Sequence, residues 1–461
     1  MKRIFHTTTL EHAAAGRLMV KRWATRARVL LVLAALSGPS VAAGLDPLRQ
    51  WPQWRGPLAT GEAPYGDPPV RWSERQNIRW KISIPGRGLS TPIIWGDRLF
   101  ITSAVPFGEA LSSPGREPRG AHNNVAPARR LDFVVLAIDR RSGEILWKKS
   151  VRRARPHAGT HETGSWASSS AVTDGKYLFA FFGSSGLYCL DFDGNLIWDL
   201  DLGEMQIFHG HGEGSSPVLY RDTLVVNWDH QGKSFVLALD KFTGRQLWKA
   251  ARDEITSWST PIIVPHQGKP QVIVSATGRV RAYDLVNGRL IWEAGGLSRN
   301  VVASPVAADG MVYAAGSYDW QAMLAIDLAL AEGDITGGPA VVWSRSRDTP
   351  YVPSPLLFGD LLWFLRHNQA LLTGVDARTG RSVFGPRRLP GLYNVFASPV
   401  GAADRVYVTS REGVTVVLRS GGEFELLASN QLDDSFSASP AVVGGELYLR
   451  GTLFLYCIAE K

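Results

Sequence analysis

The sequence predicts an all-β protein, an eight-bladed β-propeller of four-stranded antiparallel blades whose last blade is closed by the N-terminal strand. Three observations predict it. A Ser/Thr-Pro signature recurs along the chain, an Asp-turn-Gly-Trp signature follows most copies of it, and the two chain ends carry complementary fractions of one repeat.

The first signature appears as Thr91-Pro92, Ser216-Pro217, Thr260-Pro261, Ser304-Pro305, Ser354-Pro355, Ser398-Pro399 and Ser439-Pro440, with Ser170-Ala171 in the remaining place. The steps between copies are 41 to 50 residues, apart from a first step of 79 that contains an insertion at about residues 103–131. The second signature is an apolar run, then Asp, a turn ending in Gly, and a Trp. It reads Asp139 to Gly143 with Trp147, Asp240 to Gly244 with Trp248, and Asp284 to Gly288 with Trp292. Asp376 to Phe384 keeps the spacing with Phe in place of Trp, Asp191 to Trp198 is one residue shorter, and Asp327 to Trp343 is longer.

The alternating Val, Leu, Ile, Tyr and Phe runs are strand-like. The Gly sits where a tight hairpin needs a left-handed residue, the Asp accepts backbone N–H groups in that turn, and the Trp covers apolar area between neighbouring units. One four-stranded unit cannot bury both faces alone, whereas radial stacking can. Residues 78–84, with Trp80, read as a fourth strand lacking its first three. Residues 441–459 supply three strands lacking a fourth. Joining them leaves no open edge.

The domain reading follows. Residues 1–43 form a secretion signal, 44–77 an N-terminal extension, and 78–461 the propeller. Arg26 and Arg28 precede a short apolar run, Val29 to Leu36, and Val41-Ala42-Ala43 offers a cleavage site after Ala43. Met19 is a second candidate start. No cysteine stands near the cleavage site for lipid attachment, and no later segment is long and apolar enough to span a bilayer. The mature chain is therefore expected to be periplasmic or secreted. The leader holds seven of the 50 Lys and Arg and one of the 42 Asp and Glu, so the net charge of +8 falls to +2 without it. Nucleic-acid binding, which needs clustered positive charge on the folded domain, is not expected.

The repeat resembles the pyrroloquinoline-quinone (PQQ)-like, or quinoprotein-like, propeller repeat over roughly residues 78–461. The opening Trp51-Pro52-Gln53-Trp54-Arg55-Gly56-Pro57 resembles the first segment of a group of exported proteins with such propellers. The fold is similar to the propeller subunit of the outer-membrane assembly machinery and to quinoprotein alcohol dehydrogenases. The second likeness implies PQQ, a calcium site, an Asp base and adjacent cysteines. The only cysteines, Cys189 and Cys457, occupy the same place in the third strand of blades two and eight and are expected as buried free thiols. No adjacent pair exists, and the calcium ligands have no residue-by-residue match, so no cofactor is assigned to the chain.

With strands A to D running outward from the axis, the D-to-A and B-to-C connections share one face. Seven of the eight His after residue 43 fall there: His122, His157, His161, His209, His211, His230 and His367. Only His266 falls on the other. The candidate ligand-binding mouth comprises His157, His161, Glu162, His209, His211, Glu213, Trp258, Asn300, Tyr351, Tyr393 and Asn394. Loops entering blades two and three supply the His and Glu, and three uses stay open. These are a divalent metal on His161 and His211, a His–Glu acid–base pair, or plain hydrogen bonding within the loops. The aromatic residues offer a platform for a sugar or quinone ring.

The reading favoured is an exported, non-enzymatic binding or assembly platform with a protein, small-molecule or carbohydrate ligand at this mouth. A PQQ-dependent oxidoreductase and a metal-dependent hydrolase or lyase are the alternatives.

Overall fold

The computed structural model describes residues 44–113 and 120–460. The expected secretion signal lies outside these residues, as does the middle of the insertion. Eight antiparallel sheets, each carrying four successive strands A to D, make an eight-bladed propeller. Blade one is Ile93–Trp95, Arg98–Ala110, Arg129–Asp139 and Ile145–Ala154, so the insertion there lengthens strands B and C. Strand A of blades two to seven is Val172–Thr173, Val218–Tyr220, Ile262–His266, Val306–Ala308, Leu356–Phe358 and Val400–Ala402. Blade eight takes Ala441–Val443, Glu446–Arg450 and Phe454–Ala459 from the C-terminus and Ile78–Ser83 from the N-terminal side. Trp80 lies opposite Cys457 and Ser83 opposite Phe454, which closes the ring as the sequence predicts.

The two signatures each meet a physical demand that every blade repeats. The Ser or Thr before proline builds a hydrogen-bonded ring around the axis. The backbone N–H of Thr91 donates to Ser170 Oγ at 2.9 Å, that of Ser170 to Ser216, Ser216 to Thr260 and Thr260 to Ser304. Ser304 donates to Ser354, Ser354 to Ser398 and Ser398 to Ser439. Thr91 Oγ1 completes the circuit by donating to the Ser439 carbonyl at 3.0 Å. A buried N–H near the axis has no strand partner on the channel side, and the neighbouring hydroxyl satisfies it. Ser354→Ala is expected to lower the unfolding free energy by about 1–2 kcal/mol, and Ser354→Thr by much less, because Thr fills the same place in blades one and four. Urea denaturation of the two variants checks this.

The Trp signature joins neighbouring blades at the periphery. Trp147 Nε1 donates to the Phe192 carbonyl of blade two, Trp198 to Lys241 of blade three, and Trp248 to Leu285 of blade four. Each indole lies flat on the turn glycine of the next blade. A Cβ at Gly244 would stand 2.8 Å from the Trp198 ring, and φ there is 69°. A bulge between strands C and D leaves the residue before the Trp unpaired. This turns Leu146, Ile197 and Leu247 outward and the indole inward. Asp139 and Asp240 fix the turns by accepting from two following N–H groups and one hydroxyl. Blade four departs from the pattern. The insertion in blade five adds Gly333–Asp334 alongside Trp292–Glu293, and Trp292 Nε1 donates instead to Gln271 in its own blade.

Residues 50–67 cross the end of the channel opposite the His-bearing loops. Trp51 exchanges backbone hydrogen bonds with Ile94, and the Pro52 carbonyl accepts from Thr173 N. Thr60 and Gly61 carbonyls accept from Leu357 N and Gly401 N, and Glu62–Ala63 pairs parallel to strand A of blade seven. This strap uses edge groups of strands A that would otherwise face an open channel.

Candidate functional site

Two chambers stand along the channel among the described residues. The one on the His-bearing face is a funnel of about 400 Å³. Its lower wall includes the ring hydroxyls of Ser216, Thr260, Ser398 and Ser439, and Trp54 of the strap also lines it. Trp54 and Thr260 also line a second chamber of about 360 Å³ between the strap and blades three to five, so Trp54 partitions the channel. The upper walls are Trp258, Tyr318, Tyr351 and Phe396, interleaved with Asn300, Asn368, His161, His211 and Glu213. Among the described residues, no Lys or Arg lines the funnel. Arg87 and Arg411 stand near its rim: Arg87 donates to the Glu162 carbonyl, and the Arg411 guanidinium lies 5.2 Å from the Phe396 ring centre.

Local structure fixes these side chains. Trp258 Nε1 donates to the Gly212 carbonyl at 2.7 Å, tying the loop entering blade four to the loop entering blade three. Asn300 is nearly fully buried at φ 54°, and its Oδ1 has no hydrogen-bond partner. Tyr351 packs against Tyr318 with ring centres 5.6 Å apart and planes tilted by 43°. Glu213 has a structural duty: it accepts from Ser184 N at 2.7 Å and from Ser184 Oγ, holding the turn at Gly183–Ser185. Burial raises its carboxyl pKa, and the Ser184 donors work against the rise.

His157 Nε2 lies 2.9 Å from the Met205 carbonyl and 4.0 Å from Glu213 Oε1, so its proton goes to the carbonyl and the two form no hydrogen-bonded acid–base pair. His161 and His211 line the funnel with ring centres 4.8 Å apart, and His122 from the blade-one insertion joins them at 6.4 and 4.7 Å. His209 stands behind, 5.5 Å from His211 and packed on Phe208. Burial pushes His211 down to about 4, helped by the neighbouring imidazoles, and lowers His161 as well. Both rings are therefore neutral at neutral pH.

Glu162 is solvent-exposed outside the funnel lining. Tyr393, 67 % exposed, and Asn394 also lie off the funnel, where their backbone N–H groups donate to the Glu412 carboxylate. The reading of the sequence missed Trp54 as a lining residue, along with Tyr318, Asn368 and Phe396. The signal for Trp54 was present in the Trp-Pro-Gln-Trp-Arg-Gly segment, whose two indoles exceed what a solvated extension needs.

A family model described as outer membrane protein assembly factor BamB matches residues 131–385, more than half of the chain. The chain belongs to that family. BamB-type membership agrees with the PQQ-like repeat seen blade by blade. Among relatives, methanol dehydrogenase [cytochrome c] subunit 1 of Methylobacterium organophilum is 28% identical over 174 residues, 32% of this chain and 26% of that protein. The match thus spans about a quarter of the relative's length. Among solved structures, BamB from Moraxella catarrhalis aligns with TM-score 0.52 and 13% identity, covering 82% of this chain and 98% of that one. Quinohemoprotein alcohol dehydrogenase from Comamonas testosteroni aligns with TM-score 0.62 and 11% identity, covering 92% and 83%. These likenesses show the fold alone.

The residues present do not supply the set that the quinoprotein likeness implies. PQQ carries three carboxylates, and among the described residues the funnel lining offers them no Lys or Arg. Cys189 and Cys457 are buried free thiols in two different blades, neither of them on the funnel. No step through the quinone is derived.

Proposed function

We propose that the chain is an exported binding propeller that takes a neutral, polyhydroxylated ring, a sugar or short oligosaccharide, in the funnel. The observation that carries this reading is the character of the lining. Aromatic faces of Trp54, Trp258, Tyr318 and Tyr351 surround a pocket whose polar groups are mostly hydroxyls and amides, with three imidazoles and the Glu213 carboxyl, engaged by Ser184, on one wall. Aromatic faces stack on the C–H faces of a sugar ring, and hydroxyls and amides pair with its O–H groups at no cost in buried charge. Export rests on the leader in residues 1–43.

Titration of a mono- and oligosaccharide panel, followed by intrinsic Trp fluorescence, tests the reading. Trp258→Ala is expected to weaken binding of the best sugar by about tenfold or more, the loss that follows from removing one buried aromatic contact. PQQ serves as the comparison ligand. Saturable binding of PQQ with no response to any sugar would replace this reading with the redox one.

A second reading follows the family match and concerns the rim. Trp320 and Tyr393 are exposed on the same face, at 53 and 67 %, and suit contact with a protein segment in an assembly role.

A further inference from the structure

We propose that His122, His161 and His211 form a binding site for a borderline divalent transition-metal ion of the zinc class, on the wall of the funnel. The proposal is independent of what organic ligand the funnel takes. The three residues come from three separate segments: the blade-one insertion, the loop entering blade two, and the loop entering blade three. Backbone pairing holds these segments together. Asn124–Val125 pairs with Thr160–His161, His161 N donates to the His211 carbonyl at 3.2 Å, and Asn124 Nδ2 donates to the His209 carbonyl at 2.8 Å.

The ring geometry is close to what one ion requires. Imidazoles bound to a tetrahedral ion through nitrogens at about 2.0 Å place their ring centres roughly 5 Å apart. Here the separations are 4.7, 4.8 and 6.4 Å. Among the described residues, no three His, Cys, Asp or Glu side chains already stand in a metal-holding arrangement. The site therefore assembles by side-chain rotation that brings His122 and His161 closer.

His122 and His161 are also oriented by a partner on one side. His122 Nδ1 lies 3.1 Å from the Gly120 carbonyl. His161 Nδ1 lies 2.8 Å from Thr163 Oγ1 and 3.2 Å from Thr163 N. Because Thr163 N donates to Nδ1, ligation through Nε2 requires a switch to the tautomer in which Nδ1 donates to the Thr163 hydroxyl. An outer partner on one nitrogen with the other nitrogen presented inward is how ligating histidines are held.

His211 Nε2 is buried without a hydrogen-bond partner, and so is His209 Nδ1. A buried, unpaired ring nitrogen is costly, and an ion at the centre of the cluster would satisfy the first of them. Neutral imidazoles suit zinc and its neighbours in the first transition series better than calcium or magnesium, which require oxygen ligands. All three rings line the funnel, so the fourth position of the ion opens towards it.

Cobalt(II) is the probe, because a four-coordinate nitrogen site gives it visible absorption bands that the hydrated ion lacks. The full exported protein is stripped with chelator and titrated with Co²⁺, then with Zn²⁺ as competitor. Expected are one ion per chain, a visible spectrum that Zn²⁺ abolishes, and roughly a hundredfold loss of affinity in His211→Ala and in His122→Ala. His266→Ala, on the opposite face, serves as the control and retains wild-type affinity. Circular dichroism confirms that each variant is folded. A folded wild-type protein that gives no such spectrum overturns the proposal, as does a His266→Ala loss equal to that of His211→Ala.

Discussion

Replacing Trp80 by alanine is expected to lower the unfolding free energy by about 3–5 kcal/mol, the range for deleting a buried aromatic side chain. The other docking tryptophans join blades that the chain already connects. Trp80 sits on the strand that joins the two ends of the fold. Its Nε1 donates to the Arg140 carbonyl of blade one at 2.9 Å, and its ring lies flat on Gly143 and 5.9 Å from Tyr448. Without it, the strand Ile78–Ser83 keeps its backbone ladder, and the lateral hold of blade eight on blade one is left to the Arg140–Glu446 pair and the axial Thr91–Ser439 bond.

The same change has a site-specific chemical readout. Cys457 lies opposite Trp80, and Cys189 lies opposite Trp198. Burial holds both thiols up at about 12, so neither reacts readily at pH 8 in the native protein. Trp80→Ala should open Cys457 to alkylation while Cys189 stays protected, and Trp198→Ala should do the reverse. Mass spectrometry of alkylated peptides reads this directly. Equal labelling of both thiols in Trp80→Ala would mean that the clasp is not a local element.

The repeat was legible because each signature residue answers a demand that recurs in every blade. A hydroxyl before proline meets the preceding blade's N–H, and a turn glycine makes room for the preceding blade's indole. Adjacency of His161 and His211 was legible for the same reason, since counting repeats places their loops side by side. Tyr393 and Asn394 show the limit of that logic. Assigning a loop to one face fixes the end of the blade from which it emerges, but not its distance from the axis, and these two residues hold Glu412 outside the funnel. His122 belongs to an insertion, whose length says nothing of where its tip returns. The strap was the least legible part. It repeats nothing, and its partners lie far away in the chain, from Gln50 with Gly96 and Trp51 with Ile94 to Arg55 with Pro399, 344 residues apart.

Arg55 makes the strap's role testable, and Arg55→Met is expected to cost about 3–5 kcal/mol, the cost of removing one side of a buried charged hydrogen-bond set. The guanidinium is buried, and burial pulls its pKa down, so the ion is held only by the groups around it. It donates to the Pro399 carbonyl at 2.7 Å, the Pro355 carbonyl at 2.8 Å and the Thr60 carbonyl at 3.1 Å. One side chain thus binds blades six and seven to the strap. Methionine keeps much of the volume but leaves the buried Pro355 and Pro399 carbonyls without donors, each costing on the order of 1–3 kcal/mol before relaxation, while the Thr60 carbonyl keeps Leu357 N. Lysine carries the charge but lacks the planar fork, so Arg55→Lys should fall between the two. Gly61→Ala should mimic Arg55→Met, because φ there is 92° and a Cβ would overlap the guanidinium. Urea denaturation measures the cost. The consequence for the site is separate: Trp54 adjoins Arg55 and partitions the channel, so a loosened strap removes one wall of the funnel. Ligand affinity should therefore fall in Arg55→Met under conditions where the protein stays folded. Unchanged affinity with the full loss of stability would show that Trp54 is held in place by the blades and not by the strap.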